Sequence, residues 1–129
     1  MADQASCSCG SNRETNLLYS CSGAANTGLL ADQVMRTLMH DKVGSGTCLA
    51  AVGADLSGFI VSARNATRNI VIDGCPVGCG KRIFEKNSLP YHHFVATDYG
   101  VEKGKTFITG DVIESVASKI ASEIQAAKG

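Results

Sequence analysis

Two cysteines lie four positions apart in a turn rich in glycine, Asp73-Gly74-Cys75-Pro76-Val77-Gly78-Cys79. An apolar stretch precedes this turn, and Gly74 permits a sharp change of direction. A helix that starts here would tolerate Pro76 in its first turn, with Cys75 at its cap and Cys79 just inside. The positive end of the helix dipole would then favour thiolates, the form of cysteine that binds metal ions or attacks electrophiles.

Cys21 occurs in a similar context, directly after an apolar segment in Cys-Ser-Gly-Ala-Ala-Asn-Thr-Gly and just before a helical segment. The free N–H groups at a helix start favour an anion or a thiolate. The Cys-x3-Cys spacing of Cys75 and Cys79 is one residue longer than that of zinc knuckles and thioredoxin-like turns, and it remains within zinc spacing. These three cysteines are therefore the first candidates for a metal or thiol site.

The other three cysteines are less well placed. Cys48 falls in a predicted strand over Thr47–Val52, about four residues from its carboxyl end, which is roughly 13 Å at about 3.3 Å per residue. It reaches the other cysteines only if that strand ends early, and is otherwise a core residue. Cys7 and Cys9 lie in the polar N-terminal segment, and no fixed role is assigned to them.

Four polar residues have two interpretations each. Lys81 and Arg82 follow Cys79 and either offset thiolate charge or form a solvated helix face. His92 and His93 are adjacent in a predicted strand, where successive side chains face opposite ways. At most one of them faces a given site, and packing or solvent contact is favoured for both.

Short apolar segments that predict strands alternate along the chain with segments of helical periodicity. The predicted strands are Asn16–Ser20, Thr47–Val52, Asn69–Asp73 and Tyr91–Thr97. The predicted helices cover residues 28–40, capped by Asn26 or Thr27; a segment from a cap at Asp55 to about Ala66; residues 81–86; and a last helix from a capping box of Asp111 and Glu114.

This alternation predicts an α/β fold with a roughly four-stranded parallel sheet and helices on both faces, a Rossmann- or flavodoxin-like three-layer architecture. Residues 1–15 are predicted to be a flexible arm that contains cysteine, and residues 16–129 a single domain. Ligands of such sheets bind beyond the carboxyl ends of the strands. Cys21, Cys75 and Cys79 fall at that edge.

Composition narrows the function classes. The 129 residues carry 12 basic and 12 acidic side chains, so the chain lacks the positive charge of a nucleic-acid binder. No apolar run approaches the roughly 20 residues that cross a bilayer, and Met1 to Gly10 lacks the apolar centre of a signal peptide. A cytoplasmic protein without a membrane partner is expected, in which six cysteines indicate metal binding, redox chemistry or packing.

The chain resembles the DGC-domain proteins. The matching pieces are Cys21-Ser22-Gly23-Ala24-Ala25, Ala31-Asp32, Cys48-Leu49-Ala50 and Ile72-Asp73-Gly74-Cys75-Pro76-Val77-Gly78-Cys79. Members of this family are thought to chelate zinc through four cysteines, so the resemblance implies zinc as cofactor and Cys21, Cys48, Cys75 and Cys79 as its ligands. It supplies no reaction. Four thiolates would close a tetrahedral structural site, whereas three would leave one position open.

Two other functions remain open. The first is a thiol-dependent redox or sulfur-transfer protein that uses Cys21 or the Cys75/Cys79 pair. Phosphoryl chemistry at Cys21 is disfavoured, because residues 22–28 lack the arginine that neutralises an oxyanion. The second is an accessory protein with an iron–sulfur cluster, which also accepts four cysteines. The sequence does not identify a protein partner.

Overall fold

The sheet at the centre of the molecule has four strands, all parallel, in the order β2-β1-β3-β4. The computed structural model describes residues 14–128. The strands are β1 (Asn16–Ser20), β2 (Ser45–Gly46), β3 (Arg68–Asp73) and β4 (His92–Val95). The whole of β1 pairs with β3, from Asn16 opposite Arg68 to Ser20 opposite Ile72. The predicted parallel α/β architecture is confirmed.

Helices cover both faces of this sheet, as predicted. They are α1 (Asn26–His40), α2 (Leu49–Gly53), α3 (Ser57–Asn65), α4 (Cys79–Lys86) and α5 (Gly110–Lys128). Alternate residues of the strands point to opposite faces and so build two cores. Leu18 and Ile70 pack with α1 and α5, whereas Tyr19 and Val71 pack with residues of α2, α3 and α4. Within residues 14–128, no helix is long and apolar enough to cross a membrane.

The second strand differs from the prediction. Ser45–Gly46 forms the strand, and Thr47–Val52 does not. Helix α2 begins at Leu49 with Cys48 as its N-cap residue. Leucine and alanine are strong helix formers, and a short apolar run is ambiguous between strand and helix. Cys48 therefore follows the carboxyl end of β2 instead of lying about four residues before it.

Helix starts also differ from the predicted caps. Helix α1 begins at Asn26 after Ala25, and no side chain caps it. Helix α3 has Leu56, not Asp55, at its N-cap position. The capping box of Asp111 and Glu114 is not formed as predicted, because α5 already begins at Gly110 and Thr109 Oγ1 accepts a hydrogen bond from the Val112 N–H at 3.3 Å. Polar residues near a helix start predict a cap only within a residue or two.

The remaining boundaries shift by a few residues. Strand β4 is shorter than Tyr91–Thr97, and a 3-10 helix, Ala96–Tyr99, follows it directly. Helix α4 begins at Cys79, after Gly78 in a left-handed conformation, so Pro76 precedes the helix and Cys75 is not at its cap. Cys79 does lie in the first turn, as predicted.

The strand order fixes where a ligand site is expected. The chain passes from β1 outward to β2 and then returns to the other side of β1 with β3. The two neighbouring strands β1 and β3 therefore flank the switch point of the sheet. In open parallel sheets, the loops after such a pair of strands diverge and leave a crevice beyond their carboxyl ends.

Candidate thiolate site

Cys21 and the Asp73-Gly74-Cys75 turn meet at this switch point. The Gly74 N–H donates a hydrogen bond to Cys21 Sγ at 3.3 Å, and the Cys21 N–H donates one to the Ile72 carbonyl at 3.1 Å. Cys21 is partly buried and packs against the core that contains α1 and α5. Cys21 therefore lies next to the turn after β3, as predicted.

A glycine is required at position 74 because the turn packs against the start of α1. A Cβ atom at Gly74 would lie 2.4 Å from the Thr27 carbonyl oxygen. Gly28 permits a second close approach, since a Cβ there would lie 2.2 Å from the Gly23 carbonyl oxygen. Distances this short are excluded between non-bonded atoms, so Gly74 allows the turn after β3 to pack against α1, and Gly28 allows the start of α1 to pack against the loop after β1.

Asp73 connects three elements at this edge. Its buried carboxylate accepts the Gly80 N–H at 2.8 Å on Oδ1 and the Lys81 N–H at 3.1 Å on Oδ2. His93 Nε2 lies 2.6 Å from Asp73 Oδ2, so β3, α4 and β4 all meet at this side chain. An acidic group that accepts the free N–H groups of a first turn stabilises the helix start.

His93 is the polar residue whose role sequence reasoning missed. Because the carboxylate of Asp73 only accepts hydrogen bonds, His93 donates through Nε2–H. His92 is exposed, as alternation along the strand requires. The register supplies the missing signal: His93 lies opposite Val71, so it shares a sheet face with Asp73 two residues further on.

Cys75 contacts a cation from a distant loop. Lys103 Nζ lies 3.4 Å from Cys75 Sγ, and Cys75 itself is partly buried. Lys81 and Arg82, the basic residues that the sequence suggested, are exposed, and Arg82 Nε donates to the Val77 carbonyl at 2.8 Å. In residues 14–128, the lysine or arginine in hydrogen-bond contact with a cysteine of the site is thus Lys103.

All four cysteines of the resemblance follow the carboxyl end of a strand, counting Cys48 after β2. Each is a free cysteine, with Cys48 and Cys79 exposed and Cys21 and Cys75 partly buried. Within the described residues, no three Cys, His, Asp or Glu side chains lie close enough to hold a metal ion. Cys7 and Cys9 lie outside the described residues.

Comparisons with known proteins agree with the pattern of these residues. Residues 17–120 match the DGC domain. The anaerobic and virulence modulator AnvM of Pseudomonas aeruginosa is 30% identical over 88 residues, which are 67% of this chain and 67% of that protein. No solved structure matches the chain. The match covers the four cysteines, β2, β3, β4 and all of β1 except its first residue, and the chain belongs to the DGC domain family.

Proposed function

We propose that this chain is a small metal-binding protein of the cytoplasm that holds zinc through thiolates at the carboxyl edge of its sheet. The ligands proposed are Cys21, Cys48, Cys75 and Cys79. The observation that carries the proposal is that these cysteines follow β1, β2 and β3, the three neighbouring strands around the switch point. Thiolate sulfur is a preferred ligand of zinc, and reducing conditions keep such thiols available.

The position of Cys48 favours four ligands over three. A strand over Thr47–Val52 would have kept Cys48 inside the sheet, but β2 ends at Gly46 and Cys48 follows it as an exposed residue. With Cys48 at the edge, the chain offers enough thiolates for a closed tetrahedral site. Such a site has no open position for substrate, so a structural or regulatory role for zinc is proposed instead of catalysis.

The donor set fits zinc in its chemistry, and binding requires the thiols to move. Because no three potential ligands lie within metal-binding distance in residues 14–128, zinc would have to draw the side chains together. Cys48 and Cys79 are exposed and can rotate about their Cα–Cβ bonds at small cost, whereas Cys21 is held by Gly74. Such coupling between metal binding and local ordering is common in small metal-binding domains.

Cobalt substitution tests the proposal. Protein prepared without metal is titrated with Co²⁺ under anaerobic conditions, and the ultraviolet and visible spectra are recorded. We expect sulfur-to-cobalt charge-transfer absorption and the strong visible bands of tetrahedral Co²⁺, both abolished by added zinc. The Cys75→Ser variant should lose part of the charge-transfer intensity. Absence of these bands in the wild-type protein would overturn the proposal.

A second candidate function is thiol-dependent redox or sulfur transfer at Cys21. The observation that favours it is the N–H group of Gly74, which donates to Cys21 Sγ and would stabilise a thiolate there. Reaction of metal-free protein with iodoacetamide distinguishes the two functions. A nucleophile for transfer chemistry should be alkylated equally fast with and without zinc, whereas thiols that bind zinc should be protected by it.

An iron–sulfur cluster could use the same cysteine ligands, and a visible absorption spectrum tests for it. Protein purified anaerobically from cells should be colourless if zinc is the resident metal, whereas a bound cluster would absorb in the visible range. The relative from Pseudomonas aeruginosa is named an anaerobic and virulence modulator. That name specifies no metal, so the choice between zinc and iron rests on these spectra.

A further inference from the structure

Residues 102–106 form a strap that is fastened to the start of α1 by one side chain. The amide nitrogen of Asn26 donates to the carbonyl oxygens of Glu102, at 3.1 Å, and Thr106, at 2.8 Å. The amide oxygen of Asn26 accepts the Gly104 N–H at 2.7 Å. Both ends and the middle of the strap are therefore bound to the same residue, which lies five positions after Cys21 in the sequence.

The strap is also closed on itself. The Glu102 N–H donates to Thr106 Oγ1 at 2.8 Å, and the Thr106 N–H donates to the Glu102 carbonyl at 3.0 Å. Gly104 adopts the left-handed conformation that this turn needs, with φ of 82°. A turn with this many internal bonds holds its backbone in one place. The side chain between Glu102 and Gly104 is Lys103, which contacts Cys75.

A cation at this position would stabilise negatively charged thiolates. The N-terminus of α4 was expected to stabilise the thiolates, but the Asp73 carboxylate occupies its Gly80 and Lys81 N–H groups. The negative charge of Asp73 offsets that end of the helix dipole. Four thiolates on a divalent ion carry a net charge of about −2, which disfavours the complex unless positive groups lie nearby. Lys103 supplies such a group at 3.4 Å from Cys75 Sγ.

We propose that Lys103, presented by the strap that Asn26 fastens, is a positioning residue for the thiolate site. Its ammonium group holds Cys75 Sγ by an N–H···S hydrogen bond and offsets the negative charge of the metal–thiolate complex. This inference rests on the proposed function, because it describes how the same site retains its metal. It predicts that a residue outside the cysteine motifs contributes to the affinity for zinc.

Competition between the protein and a chromophoric zinc chelator tests this role. Lys103→Met removes the charge and keeps most of the side-chain length, and Lys105→Met is the matched control on the same exposed strap. We expect Lys103→Met to weaken zinc binding about three- to tenfold. This is a small effect for a residue that hydrogen-bonds to a metal ligand, because Lys103 is exposed and solvent screens its charge. Lys105→Met should bind as the wild type does, and Lys103→Arg should restore most of the affinity.

The strap itself is tested through Asn26. Asn26→Ala should weaken zinc binding by no more than Lys103→Met does. The double variant should be no weaker than Lys103→Met alone, because both changes remove the same contact. Hydrogen exchange of the metal-free Asn26→Ala protein should show faster exchange at Gly104, whose N–H bonds to Asn26, with unchanged protection of β3. The difference in zinc affinity between Lys103→Met and the wild type should also decrease as the salt concentration rises, because salt screens exposed charges.

The outcomes separate this inference from the proposed function. If the wild type binds zinc and Lys103→Met binds it equally tightly, the inference is overturned and the proposed function stands. The inference is also overturned if Lys105→Met weakens binding as much as Lys103→Met. If the wild type and all variants fail to bind zinc, the proposed function is overturned and the inference falls with it.

Discussion

Gly74 donates its backbone N–H to Cys21 Sγ at 3.3 Å, across the switch point between β1 and β3. This bond joins two cysteine-bearing loops that are separated by about fifty residues in the chain. The bond is possible because the turn after β3 packs against the start of α1 with no side chain at Gly74. Backbone packing therefore places Cys21 beside the turn that carries Cys75.

Gly74→Ala should destabilise the fold. The new Cβ would lie 2.4 Å from the Thr27 carbonyl oxygen, so the turn or the start of α1 must shift. We expect a loss of about 1–3 kcal/mol in the free energy of unfolding, as for overpacked positions. Urea denaturation measures it. The matched control is Gly58→Ala in the first turn of α3, where nothing lies within 4 Å of the new Cβ and no loss of stability is expected. Equal stability of Gly74→Ala and wild type would contradict the packing described.

Asp73 and His93 should behave as a coupled pair. Asp73→Asn retains the shape but removes the charge that binds His93 and two backbone N–H groups, so we expect a loss of about 2–4 kcal/mol. His93→Gln should cost less, and the double variant should cost less than the sum by about 0.5–3 kcal/mol. His92→Gln, on the exposed neighbour, should be neutral. Additive single effects in urea denaturation would show that the two side chains do not interact.

Tyr19 should make the fold sensitive to alkaline pH. Burial raises the pKa of Tyr19 from 10.0 to about 12, and its hydroxyl donates to Asn69 Oδ1 at 2.9 Å. The folded state thus favours the protonated phenol. This contribution to stability is complete below pH 10 and is lost as the pH rises toward about 12.

Denaturation at a series of alkaline pH values measures this effect. The wild type should lose stability steeply between pH 10 and about 12. Tyr19→Phe should be less stable at neutral pH by about 1–2 kcal/mol, because Asn69 Oδ1 loses the hydroxyl that donates to it, and its stability should depend less on pH in that range. A Tyr19→Phe profile parallel to that of the wild type would rule out Tyr19 as the cause.

The parts of the fold that follow from the sequence are those with a clear periodic pattern. Strand β3 contains the β-branched run Ile70-Val71-Ile72 before Asp73, and α5 has an apolar stripe of Val116, Ile120 and Ile124. Strand β2 has only two residues, too few for any alternation, and the Ala-rich run after it is helical. The wrong bounds for β2 also gave the wrong position for Cys48, which was predicted inside the strand and lies after it.

The part of the candidate site that lies in one local motif was predictable from the sequence. The parts that depend on the register of the strands or on a distant loop were not. The turn from Asp73 to Cys79 is a local pattern. The bond from His93 to Asp73 spans 20 residues and depends on how β4 pairs with β3. Lys103 lies 28 residues from Cys75 and reaches it through the strap that Asn26 fastens. Neither contact has a periodic signal in the chain.

The measurement that tests the central claim most directly is the zinc content of the chain by native mass spectrometry. Zinc-saturated wild type is compared with the four single variants Cys21→Ser, Cys48→Ser, Cys75→Ser and Cys79→Ser, and with the control Cys7→Ser/Cys9→Ser. We expect one zinc ion per chain in the wild type and the control, and loss or weakening of zinc binding in each of the four variants. Wild type without bound zinc, or zinc retained unchanged in all four variants, would contradict it.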